Sequence, residues 1–303
     1  MRIGISLASA HANTDVREGA RWMSERAAAA NAAGLDSLFI GDHHATPMPY
    51  YQNTPMLGRL LAEWGNRPAG CLFLLPLWNP VLLAEQVGTL ASIMQGRFIL
   101  QCALGAGHQQ FAAMGANMRH RPSLFEEGFD ILKRLLAGES VTSAGRYQIP
   151  ATRIAPVPPE PVEYWIGGSA EPSIDRAARL GDAWLAGPEL TPGEARHWAA
   201  YYLERCAAYG RTPTCVAIRR DVYVGEDSGD AHRVADPIMA GGYRGHDPSA
   251  ATFGSVEEVA ARFAEYGSMG YTDIIVRHLT DDQPTVLGSI ARLKAVQSAI
   301  ARG

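Results

Sequence analysis

The sequence predicts a TIM (β/α)8 barrel with insertions, in which eight parallel strands alternate with helices and close into a ring. Two patterns and one absence carry that prediction. Short β-rich apolar runs alternate with Ala-, Glu- and Arg-rich stretches of helical length along the whole chain. The chain has 303 residues, a length that one α/β barrel routinely takes. The turn after the first strand, SLASAHANT, holds no glycine, so it lacks the phosphate-binding turn of a doubly wound dinucleotide fold.

Ile3–Leu7 (IGISL) reads as the first strand. Arg17–Ala33 reads as a helix, with Trp22, Met23, Ala27 and Ala30 at helical spacing and Gly34 placed to cap its end. Leu38–Ile40 is an unbroken apolar run, the mark of a strand buried on both faces. Pro47, Pro49, Tyr50 and Tyr51 mark a loop leading to a helix near Pro55–Trp64. Gly70–Leu75 is the third strand, stopped by Pro76; Pro80–Met94 is a helix with proline in its first turn, and Phe98–Ala103 is the fourth strand. A long connection, Leu104–Pro122, precedes a helix over Ser123–Ala137. Tyr164–Ile166, Ala183–Ala186, Val216–Val224 and Asp273–Arg277 complete the eight strands. Their helices run to Leu180 and over Pro192–Tyr209, Val256–Met269 and Pro284–Ala301. Residues 138–161 and 227–252 are loop-rich and read as insertions, and no linker divides the chain, so residues 1–303 are expected to form one domain.

The formal charge is -4 with arginines scattered, which argues against a nucleic-acid surface and offers no basic run for a membrane. Cys71, Cys102, Cys206 and Cys215 form no CxxC pair, and Cys71 and Cys102 lie in apolar runs, so inert core thiols in a reducing compartment are expected. The amino terminus enters an apolar strand directly, and the longest apolar run, Ala69–Leu75, is far too short to span a bilayer. A soluble, cytoplasmic protein with a small-molecule substrate is the expectation.

In a barrel, the loops that follow the strands share one mouth. Asp42-His43-His44 ends the second strand: Asp42 can orient an imidazole, and a histidine there can donate a proton or bond a ring system. A loop whose histidines merely cap the next element is the plainer reading. After the fourth strand comes ALGAGHQQF, where Gly105, Ala106, Gly107 and His108 would let a flat ring lie against the chain; a simple turn is the alternative. After the fifth comes IGGSAEPS, where Gly167 and Gly168 permit close approach and Ser169 or Ser173 can cap a helix, an arrangement suited to a phosphate but also to an ordinary cap. Arg277, closing the last strand, can hold an anionic part of a coenzyme or pair at the rim. A metal site built on Asp42, His43 and His44 would need His278 and Asp281 as partners. Adjacent histidines point apart in an extended chain, so no metal is expected.

Leu74–Gly105 reads LLPLWNPVLLAEQVGTLASIMQGRFILQCALG: a strand ending in proline, an Asn-Pro step, a helix with AEQ, then GRF before the fourth strand. It resembles the bacterial luciferase-like family of flavin-dependent oxidoreductases. Asp42-His43-His44, the helix with Arg119, Arg121 and Glu126, Gly167-Gly168-Ser169 followed by AARLGDAW, and the closing stretch Phe253–Val276 are similar to the family as well. The resemblance implies a barrel, usually a homodimer, holding reduced FMN or the deazaflavin coenzyme F-420 at the strand ends. It implies that His43 is the catalytic histidine, with His44 the second choice and Asp42 an orienting neighbour. It also implies that Cys71 and Leu72 lie at a bulge with a non-prolyl cis peptide behind the ring, and that Gly105, Ala106, Gly107, His108, Gly167, Gly168, Ser169 and Arg277 surround the coenzyme. Leu104 and Ala103 replace luciferase's phosphate-holding arginine and reactive cysteine, so light emission is not expected. His108 stands where the deazaflavin sugar-phosphate dehydrogenases carry glutamate. The implied activity is a monooxygenase using oxygen and reduced FMN from a separate flavin reductase. F-420-dependent hydride transfer and non-catalytic flavin binding are the alternatives.

Overall fold

The computed structural model describes residues 1–302. In chain order its elements are β1 (Arg2–Leu7), α1 (Val16–Ala33), β2 (Ser37–Ile40), α2 (Asn53–Trp64), β3 (Ala69–Leu74), α3 (Pro80–Ile93), β4 (Phe98–Ala103), α4 (His108–Ala113), α5 (Arg121–Leu136), β5 (Val141–Ala144) and β6 (Gln148–Thr152). They continue with β7 (Glu163–Gly167), α6 (Glu171–Leu180), β8 (Ala183–Ala186), α7 (Pro192–Ala208), β9 (Cys215–Val224), α8 (Ser228–Ala240), β10 (Thr252–Gly254), α9 (Val256–Ser268), β11 (Asp273–His278) and α10 (Gln283–Arg302).

Parallel pairing runs β1-β2-β3-β4-β7-β8-β9-β11 and returns from β11 to β1, closing an eight-stranded barrel. The strands read as continuous apolar runs because both of their faces are buried. Ile3, Ile5, Leu38, Ile40, Phe73 and Leu100 face the helices in one large outer core, while Phe39, Ile99, Trp165, Ala217 and Ile275 fill the inside. Within the barrel, the rings of Phe39 and Trp165 lie 5.3 Å apart and tilted. Gly70 is required on that inner face: a Cβ there would overlap the carbonyl oxygen of Ile99 on the neighbouring strand. Helix starts are set locally. Asp15 caps α1, Asn79 caps α3 ahead of Pro80, and Thr191 and Ser255 form capping boxes on α7 and α9.

The eight barrel strands match the sequence reading, but three connecting segments hold more order than expected, the first being Leu104–Pro122, which contains α4. Residues 138–161 contain the antiparallel pair β5–β6. Residues 227–252 contain α8, capped by Asp227, whose side chain accepts from the Asp230 N–H; Pro237 within that helix obscures its periodicity. β10 then adds to β9 beyond the point where β8 has ended. The bulge and non-prolyl cis peptide expected at Cys71–Leu72 are absent. β3 and β4 pair residue for residue from Ala69–Phe98 to Leu74–Ala103, leaving no extra residue to bulge, and among the described residues Ala155–Pro156 is the cis peptide. No described helix is long and apolar enough to cross a membrane.

Candidate active site

Asp42 lies just beyond the end of β2 with its side chain fully buried. Its Oδ2 accepts from the Leu74 N–H and the Trp78 indole N–H, each at 2.8 Å, which ties the β2 loop to the end of β3. Its Oδ1 lies 3.1 Å from His44 Nε2, within ion-pair reach but out of line for a hydrogen bond, so both atoms are buried without an aligned partner. The backbone N–H of His44 donates to Gln110 Oε1 at 2.7 Å, and Gln110 Nε2 donates to the Ala106 carbonyl, so α4 holds this loop in place. The His44 ring meets Trp78 edge-on at 5.6 Å. His43 is exposed, 5.7 Å from the Tyr50 ring. Asp42 therefore faces His44, where the sequence reading puts His43 first. The loops after β1 and β2 are joined by a bridge between Ala10 and Tyr50.

The edge formed by β3, β4 and β7 carries no charge on its inner face near the mouth. Leu72 is on that inner face; Cys71 points the other way into the helix layer, where burial, aided by Asp42, raises its thiol pKa well above the usual value. Cys71 can therefore contribute backbone but not a side chain. Gln101 is also inward and buried, and its Nε2 has no partner. Gly105 and Gly107 have φ of 71° and 94°, conformations that favour glycine, and between them Ala106 is exposed, as is His108 beyond. Gly167, Gly168 and Ser169 are partly exposed at the end of β7, where the Gly168 carbonyl accepts from the Trp184 indole. The expected cap is corrected here: Ala170, not Ser169 or Ser173, precedes α6, and no side chain caps the helix. Pro172 also withholds an N–H from its first turn, and Glu171 places a carboxylate there. These features weaken the helix end as a phosphate site and leave the glycines and hydroxyls as its usable groups.

The opposite edge is charged. Arg219 and Asp221 alternate onto the inner face of β9, with Arg277 of β11 in register with Asp221. Arg219 donates to Asp221 Oδ1 at 3.1 Å, and Tyr243 Oη and Arg244 Nη1 donate to Asp221 Oδ2 at 3.1 and 3.3 Å. Arg277 donates instead to the Ser6 hydroxyl at 2.7 Å. Burial pushes the Arg219 guanidinium down to about 9, with Arg277 adding to the effect, so it still carries its charge at neutral pH. Burial opposes the Asp221 carboxylate, but Arg219, Arg277 and Arg244 outweigh it and its pKa is lowered.

Residues 1–272 match the family model described as luciferase-like monooxygenase. The chain belongs to the luciferase-like monooxygenase family. It is 30% identical over 183 residues to an uncharacterized protein of Mycobacterium tuberculosis, a match covering 53% of this chain and 63% of that relative's length. Among solved structures it resembles the FMN-bound oxygenating component of 3,6-diketocamphane monooxygenase from Pseudomonas putida, at TM-score 0.79, 19% identity and 97% of each chain. It equally resembles an F-420-dependent secondary alcohol dehydrogenase in complex with an F-420–acetone adduct, at TM-score 0.79, 17% identity and 99% of each chain. Identities this low establish a shared barrel.

In this luciferase-like chain the partners that a metal site would need lie elsewhere. His278 faces α10, with Nε2 3.1 Å from Ser289 Oγ, and burial together with Arg26 pushes its pKa down to about 3. Asp281 pairs with buried His11 and Arg26. Among the described residues, no three metal-capable side chains converge. The sequence reading overlooked Gln101, Arg219, Asp221 and the loop residues Tyr243 and Arg244. A signal was present for the first three: Gln101 interrupts the apolar run FILQCA, and Arg219-Arg220-Asp221 interrupts a β-branched run, so alternation puts Arg219 and Asp221 on one face. Arg220 takes the other face, where it stacks on Tyr266 and bonds the carbonyls of Pro188 and Ala250.

Proposed function

We propose that this protein is a flavin-dependent oxidoreductase, a monooxygenase that uses oxygen and reduced FMN, delivered by a separate flavin reductase, on a small organic substrate. The observation that carries the reading is on the β2–β7 side of the mouth, where His44 Nε2 faces Asp42 Oδ1 at 3.1 Å out of hydrogen-bond alignment and Gln101 Nε2 is buried with no partner. Such atoms are costly in a folded protein and fit a ligand with a polar ring edge. When bound, reduced flavin supplies the electrons for the reaction with oxygen. Leu72 would wall the ring, the Gln101 amide would meet its polar edge, and the backbone at Gly105, Gly107 and Gly167–Ser169 permits close approach. His44 would hold a proton at Nε2 against Asp42, which orients the ring and leaves Nδ1 as the nitrogen able to pass a proton, with Trp78 keeping water from that side. His43, at the rim, would act on the substrate's entry rather than on the ring.

Hydride transfer with coenzyme F-420 is the second reading, and the F-420-dependent dehydrogenase supports it by matching the fold as well as the FMN-bound monooxygenase does. Anaerobic titration of the protein with reduced FMN and with reduced F-420 tests both. Binding of FMN about tenfold or more tighter than F-420 is expected; the reverse order replaces oxygen chemistry with hydride transfer, and binding of neither overturns the proposal. With the bound coenzyme, His44→Ala is expected to lower turnover on the order of 100-fold and His43→Ala by less than about tenfold. Coenzyme binding without turnover on any substrate would point to a non-catalytic flavin-binding protein.

A further inference from the structure

We propose that the charged side of the mouth, Arg219, Arg277 and Arg244 around Asp221, recognises an oxyanion, a carboxylate or phosphate, carried by the substrate. This rests on the coenzyme lying against β3, β4 and β7, across the ring from β9 and β11. Arg219 and Arg244 share the Asp221 carboxylate and Arg277 stands beside them with none of its own, so three guanidiniums against one carboxylate leave two positive charges in excess. The side chain of Asp221 is 3% exposed and that of Arg219 16%, so water screens the excess poorly. Arg277 is half-buried and bonds only Ser6, through Nε to the carbonyl and Nη2 to the hydroxyl. Among the described residues no carboxylate lies within ion-pair distance of it. A planar guanidinium held at the hydroxyl side by Ser6, with its other N–H groups free, matches the bidentate geometry of an oxyanion.

The loop over the cluster adds a second observation. Arg244 has φ 52°, left-handed for a side chain that is not glycine, between Gly242 and Gly245 at 75° and 70°. That conformation is disfavoured for a residue with a side chain, and it delivers the Arg244 guanidinium to Asp221. Asp221 thus gathers Arg219, Tyr243 and Arg244 around the place where a substrate oxyanion would enter beside Arg277. Neutral substrates would leave the excess charge uncompensated, so the site selects for negative charge.

The test is calorimetric titration of the protein with benzoate, phenyl phosphate and the neutral benzamide, without coenzyme. At least one anion is expected to bind about tenfold or more tighter than benzamide, with the preference abolished in Arg277→Met and Arg219→Met and reduced several-fold in Arg244→Ala. FMN and riboflavin are titrated against the same variants and are expected to keep their wild-type ratio. Equal binding of anions and amide by the wild type, or a preference that survives all three substitutions, overturns the proposal. Loss of FMN but not riboflavin affinity in the arginine variants also overturns it, by giving the site to the coenzyme's phosphate. Should Arg219→Met fail to fold, the half-exposed Arg244→Ala variant and Arg277→Met still decide. Failure of the wild type to bind FMN would remove the flavin reading while leaving the anion readout intact.

Discussion

Between β2 and β7 the barrel mouth is edged by glycines, an amide and a buried Asp42–His44 contact, whereas between β9 and β1 it is edged by Arg219, Asp221, Arg277 and Ser6. Both edges stand on the same parallel ladder, yet they achieve proximity to a ligand in different ways. On the first, side chains are removed so that backbone can approach, and the few polar atoms that remain are orphaned. On the second, long side chains reach in, and their charges are only partly neutralised by one another. The neutral edge suits a large flat ligand; the charged edge suits a small anionic group. One ring of strands can thus hold two partners of unlike chemistry, facing each other.

The comparison can be broken most forcefully at Asp221. Replacing it with alanine strips the shared carboxylate from Arg219 and releases the 243–244 loop, and a loss of about 3–5 kcal/mol in stability is expected, read by urea denaturation. A loss near zero would mean that Asp221 is not what allows the arginines to gather. The neutral edge is probed by Gly70→Ala, whose methyl would overlap the Ile99 carbonyl oxygen; a loss of about 3 kcal/mol is expected. An unchanged denaturation midpoint would show that the strands there can part without cost.

The smallest expected effect separates a structural histidine on the charged side from the candidate catalytic one on the neutral side. The folded pKa of His278, about 3, lies below its ordinary value near 6.5, so its contribution is complete above pH 6.5 and is lost as pH falls towards 3. Between pH 7.5 and pH 5 the wild type should lose about 2 kcal/mol more stability than His278→Asn, which keeps an amide near Ser289. Equal losses would indicate that His278 can be protonated where it stands. Asp221 responds at lower pH. Its depressed pKa means that its contribution is present above about pH 4 and is lost as pH falls below that.

The strands and their order of appearance were legible in the chain because each depends on local periodicity, whereas the caps Asp15, Asn79, Thr191 and Ser255, which act on their immediate neighbours, carried a local signal that the reading did not use. The strand period also assigns Arg219 and Asp221 to one face and Arg220 to the other. Beyond the strand ends no period operates. Which histidine meets Asp42 is decided by Gln110 and Trp78, which reach it from α4 and from the turn after β3. Ala170 takes the cap position of α6, its carbonyl accepting from the Ser173 and Ile174 N–H groups. Arg219, Arg277 and Arg244 meet only because the barrel closes β9 against β11 and α8 returns the chain over them. The sequence by itself determined the barrel and placed Asp42-His43-His44 at its mouth, since local pattern and strand polarity suffice for both. The division of that mouth into a neutral and a charged edge was decided by tertiary structure, because it depends on contacts between loops that are distant in sequence.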